Sequence, residues 1–372
     1  MSRDAKQVLT VSRLKNFNRC KRSHQLSYVD LIDTAKTSAS LAIGTAIHKG
    51  LEVYLWTKDL SRAISAMKKS ADLPPYLEAE VICLLTCYIK NYENDGIEIL
   101  AVELEFSMPL INPDTQRPSR KYTLGGKIDA IVKLPNGEIW LMEHKSTTFS
   151  IGIGDPYWDK LILDEQISLY IPAARHYGYE VQGCIQDVMR RPTIKPALAT
   201  PPEKRKYKKA KNAAGESIKG DLFANQRLTD ETAEEYLERC VEHVTSNMSR
   251  HFRRMNIIRF DSELINFRRD LWQTAQQMTE AANMGQAPRN SQSCFHFSRP
   301  CKFFPLCTGQ SDVGDPKWIK KDRPHQELGE QENGTEGHQE SKSKTIDEVC
   351  DLWARGSGQE HSGHGSTKST IY

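Results

Sequence analysis

The chain has 372 residues, 38% of them hydrophobic, and a formal net charge of +3. That supports a buried core of about two domains, or one elaborated domain, at roughly 100–200 residues each. No apolar run approaches the roughly 20 residues that span a bilayer, which excludes a helical membrane anchor.

Ser12 is expected to cap a first helix whose apolar stripe is Leu14, Phe17 and Leu26, with Cys20 inside it. A second helix is expected over 42–55, where Ile43, Ile47, Leu51 and Tyr54 recur at helical spacing. A third covers 75–92 and carries Cys83 and Cys87, read as core. The period then changes to two. Val102, Leu104, Phe106 and Met108 alternate with polar residues over 101–110. Segments 122–134 and 138–145 flank Pro135-Asn136-Gly137, which reads as a hairpin. Helix 164–177 and strand 181–189 follow.

Segment 192–220 reads as a proline-rich basic loop, with Lys204, Arg205, Lys206, Lys208, Lys209 and Lys211. The stretch 230–284 reads as helical, with Arg250, Arg253, Arg254, Arg259, Arg268 and Arg269 as a second basic group. Both groups read as solvated surface or as phosphate contacts. From 310 onward the polar texture predicts a disordered tail, with a short helix at 346–353. The order of elements predicts an α/β fold: a mixed central sheet flanked by helices, with helical insertions. The N-terminal Met1-Ser2-Arg3-Asp4-Ala5-Lys6 lacks a signal-peptide core, so a cytoplasmic location is expected.

The hairpin carries the chemistry. Asp129 lies in Gly125-Gly126-Lys127-Ile128-Asp129, and Glu143 and Lys145 lie in Glu143-His144-Lys145. Glu143 and Lys145 are two apart on a strand, so they share a face. Two carboxylates on one face are costly unless something pairs them. A divalent cation on Asp129 and Glu143 would do so, and oxygen ligands suit Mg²⁺ or Mn²⁺. Lys145 would then assist an attacking water. A two-residue Asn136-Gly137 turn would put Asp129 opposite His144, on the wrong face. An odd-length connection, with Gly137 left-handed, is therefore predicted. A salt-bridged surface hairpin is the other reading. Gln166 and Tyr170 share a helix face, where they would contact a phosphate or position Lys145. His48 is a further candidate ligand, or a structural histidine.

A helical His, then G-x-x-D, E-x-K and Q-x-x-x-Y in that order resembles the RecB-type PD-(D/E)XK nucleases over roughly residues 10–309. The resemblance implies a restriction-endonuclease-like core over 8–309, ahead of the tail at 310–372. It implies metal ligands His48, Asp129, Glu143 and the main-chain carbonyl of His144, with Lys145, Gln166 and Tyr170 completing the catalytic set. Nine cysteines in a cytoplasmic chain argue against a disulfide framework. Cys20 plus Cys294, Cys301 and Cys307 resembles the subset whose four thiolates hold a [4Fe–4S] cluster, as in AddB-type nucleases, exonuclease V and CRISPR-associated exonucleases. The six residues between Cys294 and Cys301 exceed that subset's usual two, and Lys21 stands where it often has proline. A zinc site is the alternative, as a Cys₄ set or with His296 replacing one cysteine. Cys184, Cys240 and Cys350 are read as unpaired.

The expected function is a metal-dependent deoxyribonuclease, a single-strand-preferring exonuclease of repair, recombination or replication in a bacterial or viral setting. The alternative is a non-catalytic DNA-binding scaffold. No G-x-x-x-x-G-K-[ST] sequence occurs, so helicase activity would come from a partner protein.

Overall fold

The computed structural model describes residues 6–36, 38–296 and 299–329. The first half runs β1 (Gln7–Leu9), α1 (Val11–Arg19), α2 (Lys21–His24), β2 (Ile32–Thr34), α3 (Ala39–Thr57), α4 (Leu60–Ser70), α5 (Pro75–Tyr92), β3 (Glu98–Ile111), β4 (Pro118–Lys133) and β5 (Ile139–Thr147). Next come α6 (Asp159–Ile162), α7 (Glu165–His176), β6 (Val181–Arg190), β7 (Tyr207–Lys211), β8 (Ser217–Leu222), α8 (Ala233–Thr245), β9 (Phe252–Ile257) and α9 (Asp261–Asn283). The chain closes with β10 (Phe295–His296), β11 (Arg299–Pro300), α10 (Phe304–Thr308) and β12 (Trp318–Lys320).

The central sheet has the order β1-β4-β5-β6-β9, with β3 along the other side of β4. It is mixed: β4 runs antiparallel to β3 and β5, β6 is parallel to β5, and β9 is antiparallel to β6. The β5–α7–β6 crossover is the helical connection that parallel neighbours require. Helices cover both faces because both are apolar. On one, Leu14 and Phe17 of α1, Ile167 and Ile171 of α7, and Leu264 and Leu271 of α9 bury Ile131 and Leu141. On the other, Leu55 of α3 lies on Ala130, Trp140, Met142 and Ile185, and the α3, α5 and α8 side chains pack beside them. The expected α/β architecture is what the chain adopts.

Local differences have physical reasons. The first helix is capped by Thr10, whose hydroxyl accepts from the Arg13 N–H at 3.2 Å, rather than by Ser12. It breaks at Cys20, which is extended (φ −162°, ψ 113°) between α1 and α2. The stretch 230–284 is not continuous helix, because β9 interrupts it and forms the sheet's edge. The arginines of β9 hid its alternation: Arg254 is half-buried and held by two acids, so a charged residue occupies a strand position that reads as surface. The basic segment is partly a hairpin, with Tyr207↔Leu222 and Lys211↔Ser217 paired.

The polar stretch after 310 carries ordered structure as far as Gly329. Trp318 is buried against Phe303, β12 pairs with β2, and the His325 ring contacts the Val8 carbonyl at 3.0 Å. Three anchors spaced along a polar sequence leave no periodicity, so the segment read as a tail. The expected helix at 346–353 and Cys350 lie outside the described residues.

Candidate active site

Leu134 and Glu138 close the hairpin: the Leu134 N–H donates to the Glu138 carbonyl at 2.8 Å and the Gly137 N–H to that of Leu134 at 2.8 Å. The connection is the three residues Pro135-Asn136-Gly137, with Gly137 at φ +89°. This is the odd-length turn with a left-handed glycine that same-face placement requires. The register Lys133↔Ile139 through Ala130↔Met142, continued by one residue, puts Asp129 opposite Glu143. There the β4–β5 pairing ends, and the Asp129 side chain takes over by accepting from the His144 N–H at 2.9 Å. Past this point β4 pairs with β1 and β5 continues along β6. The site lies where the two strands part.

Gly125 and Gly126 are required in β4. A Cβ on Gly125 would meet a Val8 methyl at 2.5 Å. One on Gly126 would meet the Phe106 ring at 2.9 Å and the Tyr170 ring at 3.1 Å. The glycines let the Phe106–Tyr170 edge-to-face pair, 5.5 Å between centroids, close over the strand. Tyr170 is buried there, in contact with the Gln166 side chain and the Lys127 backbone. It supports Gln166 from below and offers no open surface to a phosphate.

Gln166 does position Lys145. Its amide donates to Glu143 Oε1 at 2.6 Å, and its carbonyl oxygen accepts from Lys145 Nζ at 2.9 Å. Lys145 Nζ also donates to Glu143 Oε1 at 2.6 Å. Asp164 caps α7, accepting from the Gln166 N–H at 3.1 Å, which fixes the helix start beside the strand. From α3, His48 Nδ1 approaches Asp129 Oδ1 at 3.3 Å.

One residue of this cluster carried no sequence signal. Glu103 of β3 has φ +52°, and His48, Glu103 and Asp129 each offer a ligand atom within 4.8 Å of the others. Glu103 also pairs with Lys127. It read as the solvent side of an alternating strand, and only the β3–β4 pairing turns that side toward Asp129. Glu143 stands outside this trio, with its Oε1 turned to Lys145 and Gln166.

Burial and charge divide the acids. Burial, then the neighbouring Asp129, push the Glu143 carboxyl up to about 7 against the pull of Lys145. Burial also opposes ionisation of Asp129, but His48 outweighs it and holds the carboxyl at about 2. Burial would lower His48, and Asp129 reverses this, raising the imidazole to about 9. Lys145 likewise resists burial because Glu143 and Asp129 raise it further. Three carboxylates thus face two lysines and one histidine in a confined space, where a divalent cation would relieve the repulsion.

Behind the strand, His144 is buried, and burial lowers its pKa. Its Nδ1 lies 3.6 Å from Asp187 Oδ2. Arg254 donates to Asp187 at 3.0 Å, to Asp95 at 2.6 Å and to the Tyr88 hydroxyl at 3.1 Å. Arg259 is buried against Ser168 Oγ at 3.0 Å, and Arg268 is buried too. Arg254, Arg259 and Arg268 are therefore internal ties, which corrects their reading as nucleic-acid contacts. Arg250 and Arg269 are exposed. So are Lys204, Lys206, Lys208, Lys209 and Lys211, while Arg205 is half-buried and bonds the Thr200 carbonyl at 2.8 Å.

Cys20, Cys294, Cys301 and Cys307 line one cavity with Phe303 and Phe304. The Asn290 N–H points to Cys20 Sγ at 3.5 Å, and the Cys301 N–H donates to the Cys294 carbonyl at 2.7 Å. Burial, with the other three thiols nearby, raises Cys307. His296 is not among the residues lining this cavity. Cys83, Cys87 and Cys240 sit in the α3–α5–α8 core, and Cys184 is buried under the sheet. Two segments distant in sequence meet here: the Arg22 N–H donates to the Pro288 carbonyl at 3.1 Å and Lys302 pairs with Asp33 at 2.7 Å.

Comparison with known proteins adds a family. The profile of the PD-(D/E)XK nuclease superfamily matches residues 8–308. No curated protein matches the chain. Among solved structures, "Crystal structure of SSO0001" is similar at 14% identity and a TM-score of 0.20, over 68% of this chain and 89% of that one.

Proposed function

Because the chain belongs to the PD-(D/E)XK nuclease superfamily, we propose that it is a divalent-metal-dependent deoxyribonuclease, acting as an exonuclease on single-stranded DNA in repair, recombination or replication. The observation that supports this most is the register: Asp129 and Glu143 face each other where β4 and β5 part, with Lys145 held beside them by Gln166. A structural hairpin has no need of a buried acid pair with an oriented lysine.

His48, Asp129, Glu143 and the His144 carbonyl are the groups that would hold Mg²⁺ or Mn²⁺ by resemblance to the family; of these His48 and Asp129 already converge, together with Glu103. Such an ion supplies a Lewis acid for the phosphate and an acidified water. Lys145, kept protonated by Glu143, offers a positive charge to the attacked phosphate or orients the water through its N–H groups. Gln166 fixes its direction, and Tyr170 fixes Gln166. The exposed lysines of the β7–β8 hairpin are the proposed contacts to the DNA backbone.

Four thiols on one cavity are the ligand set a [4Fe–4S] cluster needs; zinc accepts the same Cys₄ set, and metal content separates the two. Its role would be to clip the chain's two ends together, with no redox step in hydrolysis.

End-labelled single- and double-stranded DNA, with Mg²⁺, Mn²⁺ or EDTA, tests the activity beside Asp129→Ala and Lys145→Ala. Metal-dependent cleavage lost in both variants is expected. DNA binding without cleavage by any form would overturn it in favour of a scaffold. Anaerobic purification should give a brown protein containing iron; a colourless one containing zinc would refute the cluster.

A further inference from the structure

A cleft of about 660 Å³ opens beside Lys145, lined among others by Lys15, Phe149, Tyr157, Lys160 and Leu163. That volume falls within the roughly 300–1,000 Å³ of small-ligand sites. Its composition is uncommon for a surface. Phe149 is 63% exposed and Leu163 84% exposed, and both line the cleft with Lys15, Lys145 and Lys160. Lys160 Nζ sits 3.9 Å from the Tyr157 ring centre and 5.7 Å from that of Phe149, so one ammonium addresses two rings. Two acids also line the cleft. Asp164 is committed to Lys15 at 2.7 Å and to the α7 cap, and Glu165 lies beside it. With Lys145, three cations stand against these two acids.

Phe149 is held in place. Its N–H donates to Thr147 Oγ1 at 3.1 Å, at the end of the strand that carries Lys145. The loop beyond is tied down as well: the Trp158 indole N–H donates to the Gly152 carbonyl at 3.0 Å, and Asp155 caps the Gly152 N–H at 2.5 Å. An exposed phenyl ring on a fixed loop keeps its water contact unless a flat partner covers it.

Building on the nuclease reading, we propose that Phe149, with Lys160 behind it, is a stacking subsite for an unpaired base of DNA next to the scissile phosphate. Lys160 and Lys15 serve the flanking phosphates. A duplex keeps its base faces covered by neighbouring pairs and cannot use the ring, whereas a single strand offers a free face at every nucleotide. The subsite thereby selects for unpaired DNA.

Binding is measured on the full chain with Ca²⁺ in place of Mg²⁺, so that affinity is read without cleavage. One single-stranded oligonucleotide carries normal bases and a second carries abasic sites at the same length. Phe149→Ala should weaken the first roughly 5- to 100-fold and leave the second unchanged, and Phe149→Trp should restore the first. Lys160→Ala should weaken both strands alike and lower the salt slope by about one phosphate. Equal loss on both strands for Phe149→Ala, or no loss on either, would overturn the subsite. Base-dependent binding by a wild-type protein that cuts nothing in Mg²⁺ would leave the subsite standing and remove the nuclease reading instead.

Discussion

Two charge clusters meet the central sheet, one centred on Asp187 of β6 and the other on Asp129 of β4 and Glu143 of β5. In one, Arg254 bridges Asp187 and Asp95 and bonds Tyr88, so the protein's own groups answer the acids. In the other, Glu103, Asp129 and Glu143 crowd together, and their partners Lys127, Lys145 and His48 all keep some exposure. The closed cluster ties the sheet's last strand to α5. In the open one, burial and the neighbouring Asp129 push the Glu143 carboxyl up to about 7 although Lys145 and Gln166 both bond it. Similar residue types thus serve structure where an arginine spans two acids, and point to ligand binding where three acids converge.

Matched substitutions in the two clusters sharpen that contrast most. Lys145→Met should cut nuclease activity by about 10²–10⁴-fold, with only a small change in melting temperature, since Glu143 can protonate once its partner is gone. Arg254→Met strands Asp187 and Asp95, and should cost about 3–5 kcal/mol of stability and roughly 10 °C in Tm. Thermal unfolding and cleavage rates measured on both proteins check this. Equal destabilisation by both exchanges would break the distinction.

Proton linkage is the next effect. A bound cation must displace the proton from Glu143, at about 7, and from His48, at about 9. Apparent Mn²⁺ affinity should therefore rise with pH, by up to about tenfold per unit for each proton displaced. Calorimetric titration across a pH series reads this, and an affinity flat between about pH 6 and 8 would refute it. Without metal the sign reverses. The raised Glu143 carboxyl contributes stability at low pH that is lost as pH rises through about 7. Asp129, depressed to about 2, contributes stability that is lost only as pH falls toward that value.

The smallest effect concerns the turn. Gly137 has φ +89° and open space around its Cα, so Gly137→Ala meets conformational strain alone. A loss of about 1–2 kcal/mol is expected, measured by chemical denaturation, with the Asp129–Glu143 register and the activity kept.

Much of this protein was legible in its sequence. Periodicity located α3, α5, α7 and the β4–β5 hairpin, because each has one apolar face and obeys one period. The need for Asp129 and Glu143 to share a face implied an odd-length turn, since a strand's side chains alternate, and the three-residue connection meets it. The resemblance to RecB-type nucleases singled out His48, Gln166 and the four cysteines, and these cysteines meet at one cavity. What sequence could not supply was anything set by contacts between distant strands. Glu103 enters the site only because β3 lies against β4. Strand β9 was hidden because Arg254 is paired with acids from β6 and from the α5–β3 connection. The segment to Gly329 is ordered by Trp318, His325 and Leu328 finding separate docking points. Each depends on partners far along the chain, and local patterns carry no record of which strand will arrive beside them.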